Sequence, residues 1–158
     1  MTMRDNYWLF NIFEEVWNRH FGDITQANDI KIKWGRMARA QLGSIKKRKT
    51  GLGKHPETVI TINGLFKDLR IPEFVVIGTI AHEISHYAHG FSSPLKKKYK
   101  TPHAGGIVRN ELKRRGLEKI LKAQKKWLKE NWQNYIKENF PKKIRQRRRR
   151  MRIVVKWI

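Results

Sequence analysis

The stretch from Glu73 to Gly90, EFVVIGTIAHEISHYAHG, restricts the fold of this chain more than any other. Phe74, Ile77, Ile80, Ala81 and Ile84 recur at helical spacing, Pro72 stands where a helix can start, and Gly90 is a suitable stop. A helix with that apolar face has to be packed against something. The same helix carries His82, Glu83, His86 and His89, three of the six histidines in the chain. Burying imidazoles and a carboxylate with no use for them is costly. The segment therefore implies either a hydrogen-bonded core or a metal site.

The spacing favours the metal. Residues four apart on a helix differ by about 40° around the axis and about 6 Å along it, so His82 and His86 can hold one ion. Glu83 is one step round the same helix, where its carboxylate reaches water held by that ion. This is the mechanical content of the His-Glu-x-x-His pattern. The chain has no cysteine, which removes disulfides, thiolate sites and cysteine nucleophiles and leaves His, Asp and Glu as ligands. One catalytic Zn2+ suits this donor set. The third ligand is to be sought among His89, His103 and Glu111. His89 continues the same face, but the outer pair of such a trio is separated by about 10 Å of helix rise, too far for one tetrahedral ion. His103 follows a loop and can approach from another direction. Glu111 lies about 12 Å further along the helix expected there, so the two cannot easily both be ligands. Geometry favours His103, helped by Gly105 and Gly106, whose lack of side chains would let that turn pack close to the metal helix. Tyr99 is a candidate for assisting an oxyanion.

Around this segment the pattern is α+β. Asp5 to Phe21 reads as a helix with Trp8, Ile12, Val16 and Phe21 near one face and Gly22 after it. Ile30 to Trp34 alternates apolar and basic residues, AQLGSIKKRK offers a second strand, and the β-branched run Thr58 to Ile62 a third. Short turns between them predict a small antiparallel three-stranded sheet packed on helices. Thr101 and Pro102 predict the start of the next helix, with Gly116 at its end. Leu117 to Phe140 predicts a long amphipathic helix, with Leu117, Leu121, Leu128 and Tyr135 inward and Lys119, Lys122, Lys126 and Lys129 outward. The expected organisation is a core over residues 1–116, followed by this helix and a basic tail over residues 117–158.

The net charge is +23. Self-repulsion on that scale points to a polyanionic partner, with DNA first. The candidate contacts are Lys46, Lys47 and Arg48, together with Lys142, Lys143, Arg145, Arg147, Arg148, Arg149, Arg150 and Arg152 in the tail. Arginine and lysine at such density grip phosphates without reading sequence. Trp127 and Trp132 suit either base stacking or a core, and more often a core. No apolar run approaches membrane-spanning length. The opening residues are interrupted by Glu14 and Glu15 before a secretory core could form. The expectation is a protein that is not secreted, cytoplasmic or associated with nucleoid or nucleus.

The stretches KWGRMARAQLGSIKKRK, ETVITING, IGTIAHEISHYAHG and TPHAGGIVRNELKRRG together resemble the SprT-like zinc metalloproteases, which include the Spartan DNA–protein crosslink proteases. The likeness spans roughly Ile30 to Gly116. Ala104 stands where the family usually has glycine, Ile107 or Val108 where an aromatic is common, and no cysteine zinc ribbon follows. The resemblance implies a zincin-like core that hydrolyses peptide bonds. Zinc would be held by His82, His86 and His103, with Glu83 as general base. It also implies a substrate extended along the strand before the active helix, here Thr58, Val59, Ile60, Thr61 and Ile62. Protein substrates attached to DNA fit the charge. The competing expectations are a nucleic-acid-binding protein with a structural or vestigial zinc, and a zincin of another family that uses Glu111.

Overall fold

The computed structural model describes residues 2–50, 56–140 and 155–156. Over these the chain is α+β, with four α-helices and one three-stranded sheet among the described residues. The first helix, α1, runs over Asn6–His20. The Asp5 carboxylate caps it by accepting the Trp8 N–H at 2.7 Å, satisfying one of the donors that a helix start leaves open. Leu9, Phe13, Val16 and Trp17 form its buried stripe, with Phe21 closing the end. The stripe is turned from the expected line because Trp8 sits at the margin. Its ring stacks on Trp34 at 6.4 Å, with the Arg4 guanidinium above it.

The strands are β1 (Ile30–Trp34), β2 (Gly43–Arg48) and β3 (Glu57–Ile62). Their order is β1-β3-β2. β2 and β3 pair antiparallel, with Ile45 opposite Ile60. β1 and β3 are parallel, with Ile32 opposite Ile60. The sheet is therefore mixed, which corrects the expectation of an antiparallel one. The reason is burial. β3 is covered along nearly its whole length, and a strand covered on both faces belongs at the centre. β1 alternates half-buried and exposed residues and turns Lys31 and Lys33 to solvent, which suits an edge. With β3 in the middle, residues 35–42 must cross the end of the sheet to reach its other side. Asn63 pins that crossing. Its Nδ2 donates to the carbonyls of Ala38 (2.7 Å) and Gln41 (2.9 Å), and its Oδ1 accepts from the N–H of Ala38 and Leu65.

The apolar segment forms α2 (Glu73–Ala88), in which every residue from Val75 onward is buried except Ile77. Pro72 takes the cap position just outside it. Gly90 adopts φ +83°. There the Phe91 N–H reaches the His86 carbonyl (2.9 Å) and the Gly90 N–H the Tyr87 carbonyl (3.0 Å), which closes the helix in the double-bonded pattern that glycine permits.

α3 (Ile107–Arg114) and α4 (Glu118–Asn139) follow. α3 does not start at Thr101 and Pro102 as expected. A 3₁₀ turn over Ala104–Gly106 intervenes, with Gly105 at φ +61° and Gly106 at φ +69°. Left-handed residues cannot be carried inside an α-helix, so the helix begins only after them. These glycines serve the backbone and not close packing on α2, since a side chain at Gly105 would meet nothing within 4 Å and one at Gly106 would meet only the Arg109 guanidinium. Gly116, at φ +78°, ends α3 as expected.

On α4 the buried residues are Gln124, Trp132, Tyr135 and Ile136, while Leu121 and Leu128 are half-buried and Lys119, Lys122, Lys126 and Lys129 exposed. Trp132 is core, 1% exposed, and its indole N–H donates to the Arg39 carbonyl at 2.8 Å. Lys142, Lys143, Arg145, Arg147, Arg148, Arg149, Arg150 and Arg152 lie outside the described residues. Among the described residues no helix is long and apolar enough to cross a membrane.

α4 is joined to α2 by a polar contact inside the core. The Gln124 amide donates to the Val75 carbonyl (2.9 Å) and the Thr79 hydroxyl (3.1 Å). The helices come this close because residue 78 is glycine, where a Cβ would stand 2.4 Å from Gln124 Oε1. Gly78→Ala is therefore expected to cost about 1–3 kcal/mol through overpacking. That should appear as a lower midpoint in denaturant titration, and an unchanged midpoint would mean that the contact relaxes freely.

Candidate metal centre

Two turns of α2 bring the first two imidazoles together. The His82 and His86 rings lie 4.7 Å apart, nearly perpendicular, with their Nε2 atoms at 3.1 Å. His103 enters from the chain between α2 and α3. Its ring is 5.5 Å from His82 and 4.7 Å from His86. One nitrogen from each of the three falls within 4.8 Å of the others. His82 and His86 are buried and His103 is exposed, so the cluster opens to solvent on the His103 side.

This donor set fits a zinc-sized ion. Two nitrogens bound tetrahedrally at about 2.0–2.1 Å would stand about 3.4 Å from each other, near the separation of the two Nε2 atoms. A hydrogen bond between His82 and His86 would explain that pair alone. It would not explain why a third imidazole from another segment joins them. Burial, reinforced by the neighbouring rings, pushes His82 well below the ordinary imidazole range. Burial together with His103 and His89 lowers His86 to about 4, and burial also lowers His103. All three are therefore neutral near pH 7, as ligands must be.

Glu83 is fully buried, and neither carboxylate oxygen has a hydrogen-bond partner among the described residues. Burial pushes its pKa well above the ordinary carboxylate value. An orphaned acid of this kind is what a site reserved for a bound ion and its water leaves behind. β2 supplies its neighbour. A Cβ on Gly43 would stand 3.1 Å from Glu83 Oε1 and 2.8 Å from the Thr79 methyl. Gly43 was not singled out by the sequence reading, although a glycine inside a strand is the usual mark of a close approach.

His89 and Glu111 do not join the cluster. His89 Nε2 lies 3.7 Å from Glu111 Oε2, and Tyr99 packs on the His89 ring at 4.8 Å. Burial would raise Glu111, but Arg115, with Arg114, outweighs it and holds the carboxyl below its ordinary value. Arg115 bonds Glu111 at 3.1 Å and Asp23 at 2.6 Å. This group ties α3 to the segment after α1 and supplies no third ligand.

The strand Thr58–Ile62 is also not an open docking edge. Its backbone is paired with β1 on one side and β2 on the other, so an extended substrate cannot be added to it. This corrects the expected substrate positions Thr58, Val59, Ile60, Thr61 and Ile62. Among the candidate basic residues, Lys46 and Lys47 are exposed, while Arg48 is engaged with the buried Glu57. Lys46, Lys47 and Arg48 line a groove of about 840 Å³ together with Lys33 and Arg36, and no acidic residue lines it.

The chain matches no protein-family model, no curated protein and no solved structure.

The buried groups set opposing pH slopes in the metal-free protein. The histidines bind protons less readily folded than unfolded, so stability falls as pH drops below 6.5, and for His86 the fall ends near 4. Glu83 does the reverse. Its folded pKa is raised, so stability falls as pH climbs above 4.5. Glu83→Gln is expected to remove the second slope and raise the melting temperature of the metal-free protein at pH 7, by about 2–4 °C for each kcal/mol recovered. Thermal melts across pH 4–8 with and without chelator check this, and an unshifted midpoint at pH 7 would show that Glu83 is not ionised at a cost.

Proposed function

We propose that the protein is a zinc-dependent endopeptidase of the SprT-like, zincin type, acting on proteins held on nucleic acid. The observation that carries this is a buried carboxylate with no hydrogen-bond partner among the described residues, next in sequence to one of three converging imidazoles and three residues from a second. A purely structural ion would need the imidazoles but not the acid, which counts against the reading as a binding protein with a structural metal.

His82, His86 and His103 would hold the ion. Bound there, zinc supplies Lewis acidity toward a carbonyl and lowers the pKa of water toward about 7. Glu83 accepts a proton at its carboxylate from the attacking water and returns it to the departing amide nitrogen. Without a cation, burial favours its protonated form, and a dication at the imidazoles would favour the carboxylate that takes up the proton. Gly43 keeps β2 against Glu83 without crowding the carboxylate. The side of β2 away from β3 has no paired strand along Gly43–Arg48 among the described residues. It is the natural place for an extended polypeptide to add by backbone hydrogen bonds, in place of the central strand.

The partner follows from charge. The acid-free groove at Lys33, Arg36, Lys46 and Lys47 and the exposed lysine face of α4 both suit phosphates. A protein substrate fixed to the same nucleic acid is then presented at high effective concentration, which lessens the need for peptide sequence selectivity.

A protein crosslinked to single- or double-stranded DNA should be cleaved by the zinc-loaded enzyme and left intact with chelator. Glu83→Gln should keep one zinc and lose at least about 10²-fold in rate. His103→Ala should lose both zinc and cleavage, and Glu111→Ala should keep zinc. Cleavage should weaken as salt rises. Full activity of Glu83→Gln, or zinc loss confined to Glu111→Ala, would overturn the assignment.

A further inference from the structure

A second cavity opens beside the metal cluster. It has a volume of about 570 Å³, lies between α3 and α4, and includes His82 in its wall. Val108, Leu121 and Leu128 give it an apolar lining, and Arg109, Lys125 and Lys129 stand around it with no acidic residue. Its size is that of a cleft able to take a substantial side chain. One further residue reaches it from far along the chain, Val155, which is half-buried against the core.

The next residue fixes how Val155 arrives. The Lys156 N–H donates to the Ala40 carbonyl at 2.8 Å, and Lys156 pairs with Gln41 in the parallel sense. Ala40 and Gln41 lead directly into β2, whose Gly43 lies against Glu83. A backbone hydrogen bond beside a strand and an aliphatic side chain in a neighbouring cavity are the two means by which extended peptides are held. Lys156 makes such a backbone bond, and Val155 lines the cavity whose wall includes His82.

We propose that this cavity is a binding site for an aliphatic side chain of an extended peptide, and that Val155 is its resident occupant, so that the C-terminal segment competes in cis with substrate. The competition rests on the peptidase reading above, whereas the occupied site does not. The hold is built to be displaced. Val155 leaves most of the cavity open, and Lys156 adds a cation to a neighbourhood that already has three. A tether through the same chain makes so weak a contact effective, because it raises the local concentration to roughly millimolar. A substrate segment without that cation, delivered on nucleic acid, would replace it.

The test uses the full chain and a fluorescein-labelled peptide with the sequence Arg152–Ile158, followed by anisotropy at moderate salt. The same peptide with aspartate in the place of Val155 is the control. The peptide should bind Val155→Asp at least tenfold more tightly than wild type, in which Val155 competes for the site, and a Leu128→Arg change added to Val155→Asp should abolish binding. Lys156→Pro, which removes the N–H donor, guards against a folding defect particular to the aspartate. With zinc content unchanged, both variants should cleave an unstructured protein severalfold faster than wild type. Equal peptide affinity for wild type and both variants would overturn the proposal, as would slower cleavage by both with zinc retained. If the peptide behaves as expected but no form of the protein cleaves anything, the occupied site stands and the peptidase reading fails.

Discussion

Glu83 and His86 are buried in the middle of a helix that is itself almost wholly buried, and much of the molecule is arranged around that burial. An unpartnered carboxylate in the core opposes folding at neutral pH unless a cation compensates it. The compensation has to come from the apolar surface packed around α2. β3 lies in the middle of the sheet with both faces covered. α1 contributes Leu9, Phe13 and Trp17, and α4 closes the far side with Trp132 and Ile136. A core of this size can carry one misfit acid, and a metal at His82, His86 and His103 would turn the misfit into a source of stability.

Polar side chains in the interior set the geometry around the same helix. Asn63 holds the crossing that separates β1 from β2. Gln124 bridges α4 to the backbone of α2 beside Gly78. Arg4 donates to the carbonyls of Phe66, Asp68 and Ile71, fixing the turn that leads into α2. Arg115 joins Glu111 to Asp23. Each replaces a loop's unsatisfied carbonyls or an isolated charge with a directed bond, so the elements around the imidazoles are located by hydrogen bonds as well as by packing.

The parts of this arrangement that depend on neighbours in sequence could be read from the chain. Gly90 and Gly116 as helix ends, the β-branched third strand and the pairing of His82 with His86 all follow from local spacing. His103 was reachable because three tetrahedral ligands cannot come from one straight helix. What escaped the reading depends on three dimensions. The parallel partnership of β1 and β3 is decided by which strand is covered on both faces, not by the order of turns. The start of α3 carried two sets of signals, and the left-handed glycines at 105 and 106 overrode Thr101 and Pro102. Gly43, Gly78 and Val155 matter only through residues distant in sequence. The buried face of α1 was misjudged because an amphipathic tryptophan at position 8 prefers the rim.

The three imidazoles are not equivalent in how they are carried. Two project from the interior of a packed helix, and the third stands on an exposed connection that ends in two glycines of reversed handedness. Release of a cation held by such a set would begin at the exposed bond, on the side already facing water, before the helical pair lets go. Its residence time, and the ease with which one metal species exchanges for another, would then be governed by residues 101–106. Changes in that short connection could retune exchange while the acid and the helical donors stay where they are.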